Sequence, residues 1–295
     1  MAKQLTVYLL GGLGNQMFQY AAARALSKKN AAELYLDNKT GFVRDKIYKR
    51  NYELGSFPIN GKIANLNKRL PFWTERFWRK FSNNKSDVAI NKRICISSIK
   101  ETHLSYLPEV ANYQMNGCAW MYGHWQSEEY FKDIADIIKK ELTPPVPKER
   151  HYKKWGDLIS SCNSVAVGVR LFEEMPGSKN GVGGVTPISF FNNAANTFFK
   201  SIDNPVFFVF CTTNSPQLKE LNFPGPVHFI TNENGFTGSV ETLWLITKCK
   251  HHIIANSSFY WWGAWLSEKE NNFSKIIASS LFPNNNSIPQ RWISN

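Results

Sequence analysis

The chain has 295 residues, of which 43% are hydrophobic and 20% charged, as in folded globular proteins with one large or two modest domains. This composition excludes a disordered tail, a collagen-like array and a disulfide-stapled mini-domain. The five cysteines are widely spaced without a Cys-x-x-Cys pair, which favours reduced thiols over a structural zinc site. Because the sequence shows neither a signal-peptide core nor eighteen consecutive apolar residues, we expect a soluble, cytoplasmic protein.

The net charge of +12 is concentrated in residues 43–100, which form a basic insertion rich in aromatic residues. Within it, residues 72–81 place Trp73, Phe77 and Phe81 on one helical stripe, with basic side chains on the other side. Two interpretations remain open: a helix whose aromatic residues face its own core, or peripheral contact with the inner face of an anionic membrane. We expect no nucleic-acid partner, because no nucleic-acid-binding motif accompanies the charge.

The first predicted elements are a strand over Leu5–Leu10, a glycine turn, a helix to Lys28 and a strand that ends at Asp37. Prolines in residues 143–150 stop helices and stiffen the chain, which indicates a linker. We therefore place the first domain at residues 1–150 and the second at residues 151–295.

Beyond the linker, short apolar strands alternate with helices. We predict strands over Val165–Val169, Val206–Cys211, Val227–Ile230, His252–Ala255 and Ser274–Ala278, and helices over 187–202, 216–221, 240–248 and 259–267. This alternation predicts an α/β fold with a parallel sheet covered on both faces. Two such Rossmann-like domains would bind ligands at the carboxyl ends of their strands, in a cleft between them.

The glycine turn resembles a dinucleotide-binding fingerprint, with Gly12 and Gly14 after a strand and Asp37 at the end of the next strand. Met17 occupies the position of the third glycine, which weakens a dehydrogenase interpretation. A glycine turn at a helix N-terminus also suits phosphate. The alternative is a tight turn without a ligand.

Three strings in the sequence resemble motifs of the bacterial α-1,2-fucosyltransferases, glycosyltransferase family 11. They are GGLGNQMFQYA at residues 11–21, GHWQSEEYF at residues 123–131 and CKHHIIANSSFYWWGAWL at residues 249–266. The resemblance implies a GT-B type fold of two Rossmann-like α/β domains facing each other across a cleft. It also implies an inverting, metal-independent transfer of a 6-deoxyhexose from a GDP-sugar.

The resemblance implies that Arg170, at the end of a predicted strand, binds the β-phosphate of the donor. The family motif His-x-Arg-Arg-Gly-Asp-Tyr corresponds to residues 168–174, where Gly168, Leu171 and Glu173 replace the histidine, the second arginine and the aspartate. The alternative for a single arginine at a strand end is a surface ion pair. Glu173 is our first choice for the general base, with Asp37 and Glu53 in reserve.

The other expected ligand contacts come from loops and helix starts. Asn256–Ser258 should cap a helix whose N-terminus also suits phosphate. Glu241 stands where related enzymes carry an aspartate that binds guanine, or simply lies in the favourable first turn of a helix. The expected donor-binding set is Gly12, Gly14, Asn15, Gln16, Arg170, Asn214, Glu241, Asn256, Ser257 and Ser258, and the expected acceptor contacts are Asp37, His124 and Trp125.

We expect neither a metal nor a cofactor, because no Asp-x-Asp sequence is present to hold a divalent cation against a diphosphate. The predicted function is transfer of L-fucose from GDP-fucose to a galactose-type hydroxyl, through an α-1,2 linkage, in O-antigen synthesis. Alternatives are a donor such as GDP-colitose, an inactive sugar-nucleotide or glycan-binding module, and a deoxysugar-nucleotide dehydrogenase.

Overall fold

The computed structural model describes residues 2–43, 45–46, 48–69, 96–171, 184–268 and 274–295. It divides into two compact units, Met1–Leu142 and Thr143–Asn295. The proline-containing stretch placed in a linker by the sequence therefore belongs to the second unit. The predicted amphipathic segment 72–81 and the predicted base Glu173 lie outside the described residues.

The sheet of the first unit has the strand order β3-β2-β1-β5-β4, and every described pairing in it is parallel. The strands are β1 (Gln4–Tyr8), β2 (Glu33–Asp37), β3 (Lys62–Ile63), β4 (Ile96–Lys100) and β5 (Cys118–Tyr122). The central strand β1 aligns Tyr8 with Asp37 of β2 on one side and Val7 with Met121 of β5 on the other. The carboxyl ends of these strands therefore form one edge of the sheet.

The main helix of the first unit is α1 (Leu13–Lys29), which begins directly after Gly12. Apolar and alanine side chains pack it against β1 and β2, and Asn30 ends it. The other described α-helices are α2 (Thr40–Val43), α3 (Pro108–Ala111) and α4 (Ala135–Leu142). Tyr20 of α1 donates to Glu141 of α4 at 2.5 Å, so a buried polar contact joins two helices that are distant in sequence.

The sheet of the second unit has the strand order β11-β10-β9-β6-β7-β8, again with parallel pairings throughout. Its strands are β6 (Asn163–Gly168), β7 (Pro205–Phe210), β8 (Val227–Ile230), β9 (His251–Ile254), β10 (Ile276–Ala278) and β11 (Ile293–Ser294). Its α-helices are α5 (Arg150–Ser161), α6 (Ile188–Phe199), α7 (Ser239–Lys248) and α8 (Ser258–Ser267). The strand β6 lies inside this sheet, between β7 and β9.

The predicted α/β class is confirmed, and the differences concern local elements. The first strand ends at Tyr8 instead of Leu10, because the chain turns toward Gly11, whose φ of +78° only glycine adopts readily. Within the described residues, the structure adds four strands and four α-helices for which no element was predicted: β3, β4, β5, β11, α2, α3, α4 and α5. None of the described helices combines the length and apolarity needed to cross a membrane.

Candidate active site

Loops at the carboxyl edge of the second sheet bring several predicted site residues to one side of that unit. Arg170 follows β6, Asn214 follows β7, and Asn256 and Ser257 follow β9. Since these strands are parallel neighbours, their following loops meet at the same edge. Glu241 lies in the first turn of α7, which also starts from this edge on its way to β9.

Arg170 lies just past the central strand, half-buried. The preceding residue still continues the sheet, because the Val169 N–H donates to the Phe210 carbonyl at 2.9 Å. The next residue, Leu171, packs in part against the apolar core of the unit. Leu171, in the place of the second family arginine, therefore has a packing role of its own.

The packing of Tyr260, in α8, explains why position 168 is a glycine. A β-carbon at position 168 would overlap the Tyr260 ring, coming within 2.4 Å of its Cγ. The Tyr260 hydroxyl lies 3.1 Å from the Val169 carbonyl oxygen and 2.9 Å from that of Phe210. Tyr260 thus fills the space that a histidine at position 168 would need, a compensation that the sequence motif did not reveal.

The predicted donor-binding role of Asn256 is corrected, because its side-chain amide makes hydrogen bonds within the second unit. Its Oδ1 accepts from the Thr186 hydroxyl at 3.0 Å, and its Nδ2 donates to the carbonyls of Gly184 at 2.9 Å and Leu281 at 3.2 Å. With 8% of its surface exposed, Asn256 joins three loops and is not arranged as a phosphate ligand. It shapes the strand end from which α8 departs.

Ser257 occupies the N-cap position of α8, but its side chain makes no capping hydrogen bond within the described residues. The predicted side-chain cap is therefore wrong. The first amides of a helix lack partners inside that helix, and they favour negative charge. The start of α8 at Ser257 and Ser258 therefore suits an anion, and phosphate binding there stays a prediction.

Glu241 and Asn214 lie where the sequence placed them, in polar surroundings. The Glu241 carboxylate folds back over Gly238, the residue before α7, so it also interacts favourably with the helix dipole. The Asn214 N–H donates to Glu233 at 3.1 Å, and backbone amides together with Thr231 lower the pKa of that carboxyl. Guanine recognition by Glu241 stays a prediction.

The carboxyl edge of the first unit carries the glycine turn. Gly12 precedes α1, which has no acidic residue in its first turn. The guanidinium of Arg50 lies beside this turn, with Nη1 3.7 Å from where a β-carbon on Gly12 would stand. In the sequence Arg50 is one of many basic residues of the insertion, and no motif marks it.

Gln16 also requires a correction. Its Nε2 donates to the carbonyls of Gly11 and Asn51, both at 2.9 Å, and its Oε1 accepts from the Glu53 N–H at 2.9 Å. The side chain is fully buried, so it ties the glycine turn to the 51–53 segment instead of facing a ligand. Its neighbour Asn15 is half-buried and remains a candidate contact.

Asp37 ends β2 with only 1% of its surface exposed. Its Oδ1 accepts from the N–H groups of Lys39 at 3.2 Å and Thr40 at 3.0 Å, so it caps the short helix α2. Its Oδ2 is buried without a hydrogen-bond partner in the described parts of the chain. This burial makes Asp37 a poor acceptor contact and a poor reserve base.

The Gly123–Gln126 turn after β5 joins two of the motifs noted in the sequence. Gln126 Nε2 donates to Asn15 Oδ1 at 2.9 Å across 111 positions of sequence separation. His124 lines a cavity of about 230 Å³ at the ends of β4 and β5. Trp125, by contrast, is fully buried, so the prediction that it contacts the acceptor is corrected to a packing role.

Glu101 is a residue of this edge that sequence reasoning missed. It follows β4 and accepts from the N–H groups of His124 at 2.7 Å and Trp125 at 2.9 Å. No sequence pattern marks it, because its partners lie more than twenty residues away. As for metals, the described residues contain no group of three or more His, Cys, Asp or Glu side chains that could hold an ion.

The model of one protein family, "Glycosyl transferase family 11", matches residues 1–286. The chain belongs to this family. It is therefore a glycosyltransferase, as predicted, and the dehydrogenase alternative is set aside.

Two relatives from Escherichia coli match this chain over nearly its whole length. It is 31% identical to an "Alpha-1,2-colitosyltransferase", with 97% of this chain and 96% of the relative covered. It is 26% identical to "O-antigen biosynthesis glycosyltransferase WbnK", with 96% of this chain and 93% of the relative covered.

Among solved structures, a mutant of Arabidopsis thaliana FUT1 in complex with GDP matches the family 11 chain with a TM-score of 0.52. The match covers 94% of this chain and 70% of the plant protein at 11% identity. At such low identity the likeness concerns the fold alone, and the predicted GT-B type is confirmed.

Proposed function

We propose that this family 11 enzyme transfers a 6-deoxyhexose from a GDP-sugar to a sugar hydroxyl of a surface glycan. The observation that carries the proposal is Arg170 at the carboxyl end of the central strand β6, in a chain that matches family 11 over residues 1–286. A guanidinium there, next to the start of α8, supplies the positive charge that a departing diphosphate needs. The GDP in the FUT1 structure agrees with a guanine nucleotide donor.

The reaction forms a bond between the acceptor oxygen and the anomeric carbon as the bond to the diphosphate breaks on the opposite face. The acceptor proton passes to a base, and negative charge appears on the GDP leaving group. Arg170 and the first amides of α8 stabilise that charge, so that no metal is required. Glu173, three positions beyond Arg170, remains our choice for the base on sequence grounds.

The donor sugar is either L-fucose or colitose. The relative named "Alpha-1,2-colitosyltransferase" supports colitose and an α-1,2 linkage. The replacement of the second family arginine by Leu171 agrees, since a sugar with one hydroxyl fewer needs one hydrogen-bond partner fewer. The relative named "O-antigen biosynthesis glycosyltransferase WbnK" supports a surface-glycan acceptor.

A donor panel tests the proposal directly. Purified enzyme is incubated with GDP-fucose, GDP-colitose or UDP-galactose and a galactose-terminated acceptor, with and without EDTA, and products are identified by mass spectrometry. We expect transfer from one or both GDP-sugars, unchanged by EDTA, and none from UDP-galactose. Tight GDP binding without turnover of any GDP-sugar would instead identify an inactive binding module.

Arg170→Ala tests the assigned charge stabilisation. We expect kcat/KM to fall by about 100-fold or more, equivalent to about 2.7 kcal/mol of lost transition-state stabilisation. Arg150→Ala is the matched control, since Arg150 is an exposed arginine at the start of α5 in the same unit. A change of less than about threefold for Arg170→Ala would contradict its role.

A further inference from the structure

The Gly123–Gln126 turn has an unusual backbone. Trp125 adopts a φ of +56°, in the left-handed region that bulky side chains rarely occupy. Its ring is fully buried and meets Tyr130 edge-on, with centroids 5.5 Å apart. Such a conformation persists only where the surroundings enforce it, and it is typical of functional sites.

The carboxylate of Glu101 enforces this backbone. Its two oxygens accept from the successive N–H groups of His124 and Trp125, at 2.7 Å and 2.9 Å. Successive amides in such a turn form a concave anion-binding nest. Here the anion is a side chain of the protein itself, held in place because the Glu101 N–H donates to the Tyr122 carbonyl at 2.9 Å.

Gly123 makes the close approach of Glu101 feasible. A β-carbon at position 123 would overlap the β-carbon of Glu101 and come within 2.8 Å of the Trp125 ring. The glycine, the glutamate and the tryptophan therefore constrain one another. Together they fix the direction in which the chain leaves β5.

This turn shapes a cavity suited to a small polar ligand. The cavity of about 230 Å³ is lined by His124, His103, Thr102 and Tyr122, together with Glu101, Gly123 and two leucines. The imidazole and hydroxyl groups of this lining, over a partly apolar wall, are suited to sugar hydroxyls. At the far end of the turn, Gln126 donates a hydrogen bond to Asn15 of the glycine-turn motif. One backbone conformation therefore positions both the cavity wall and this contact.

We propose that Glu101 is a positioning residue for a sugar-acceptor subsite formed by the Gly123–Gln126 turn. The inference rests on the proposed glycosyl transfer and adds to it the place where a neutral acceptor sugar binds. Glu101 acts through the backbone of His124 and Trp125. Its effect should therefore appear in the use of the acceptor and not in the handling of the donor.

The test separates these two readouts in the intact enzyme. Transfer to the acceptor is measured with varied acceptor, and slow hydrolysis of the same GDP-sugar is measured without acceptor. For Glu101→Ala we expect the acceptor KM to rise by about tenfold or more, with the hydrolysis rate within about twofold of the wild type. Glu101→Gln retains one acceptor oxygen and should show an intermediate KM.

Glu109→Ala is the matched control, because Glu109 is an exposed acid in α3 of the same unit and should leave both readouts unchanged. Should transfer and hydrolysis fall together in both Glu101 variants, Glu101 supports the fold in general and the proposal is overturned. An unchanged acceptor KM overturns it as well. The wild-type enzyme in the same assay tests the proposed function separately, since its failure to transfer any GDP-sugar rejects that function whatever the variants do.

Discussion

At the scale of single residues, Gly168 and Tyr260 share one small volume at the end of β6. Because a β-carbon at position 168 would overlap a ring whose hydroxyl contacts two backbone carbonyls, Gly168→Ala forces the ring or the strand to move. We expect the free energy of unfolding to fall by about 1–3 kcal/mol, as in other overpacked cores. Urea denaturation of the purified protein measures the change.

The double variant decides whether the two residues are coupled. The Tyr260→Ala variant lacks the ring. In that background Gly168→Ala should lower the free energy of unfolding by at least about 1 kcal/mol less than it does in the wild type. If the two substitutions lower the free energy of unfolding additively, Tyr260 is not the reason why position 168 requires glycine.

At the scale of elements, β9 carries two histidines whose side chains lie on opposite faces of the sheet. Burial, and to a lesser degree His251, lowers the pKa of His252 to about 3, and its Nε2 lies 2.7 Å from the Ser267 hydroxyl of α8. Burial followed by Lys275 and Lys250 lowers the pKa of His251 to about 4. Both histidines are therefore neutral in the folded protein at physiological pH.

These lowered pKa values predict acid sensitivity. Below the ordinary histidine pKa of about 6.5 the unfolded chain binds protons that the folded protein excludes, so stability is complete above that pH and is lost as the pH falls toward 4. His252 alone should contribute a slope of about 1.4 kcal/mol per pH unit. Urea denaturation between pH 7 and 5 should show a smaller slope for His252→Gln, whereas His103→Gln, at an exposed position, should leave it unchanged. An unaltered slope in His252→Gln would contradict this assignment.

At the scale of the whole molecule, the net charge of +12 and the aromatic stripe of residues 72–81 leave the membrane interpretation open. If this segment binds an anionic surface, the protein should co-sediment with vesicles containing phosphatidylserine but not with pure phosphatidylcholine, and salt should release it. The test variant replaces three basic residues of the segment, Arg76, Arg79 and Lys80, with glutamine and should lose vesicle binding.

The control variant removes the same charge from the second unit, by glutamine at the exposed Lys148, Lys153 and Lys154, and should still bind vesicles. Absence of vesicle binding would favour the core-facing helix.

Much of the fold could be predicted because apolar runs separated by glycine, proline and polar turns specify short buried strands. The strands predicted in this way are β1, β2 and β6–β10. The strands β3 and β11 have two residues each and carry no such signal. For β4 the sequence offered only a basic region, although the strand lies beside β5 through five aligned residues.

The sequence by itself determined the family motifs, the α/β class and the position of Arg170 after a strand, because these depend on local residue order and periodicity. The tertiary structure decided which polar residues of the motifs remain available. Gln16 and Asn256 look like ligand contacts in a linear motif, yet their amides donate to backbone carbonyls of neighbouring loops. Glu101 and Tyr260 matter through partners that are distant along the chain. Hydrogen bonding and steric exclusion act between atoms that only folding brings within a few ångströms, so no local pattern could have revealed them.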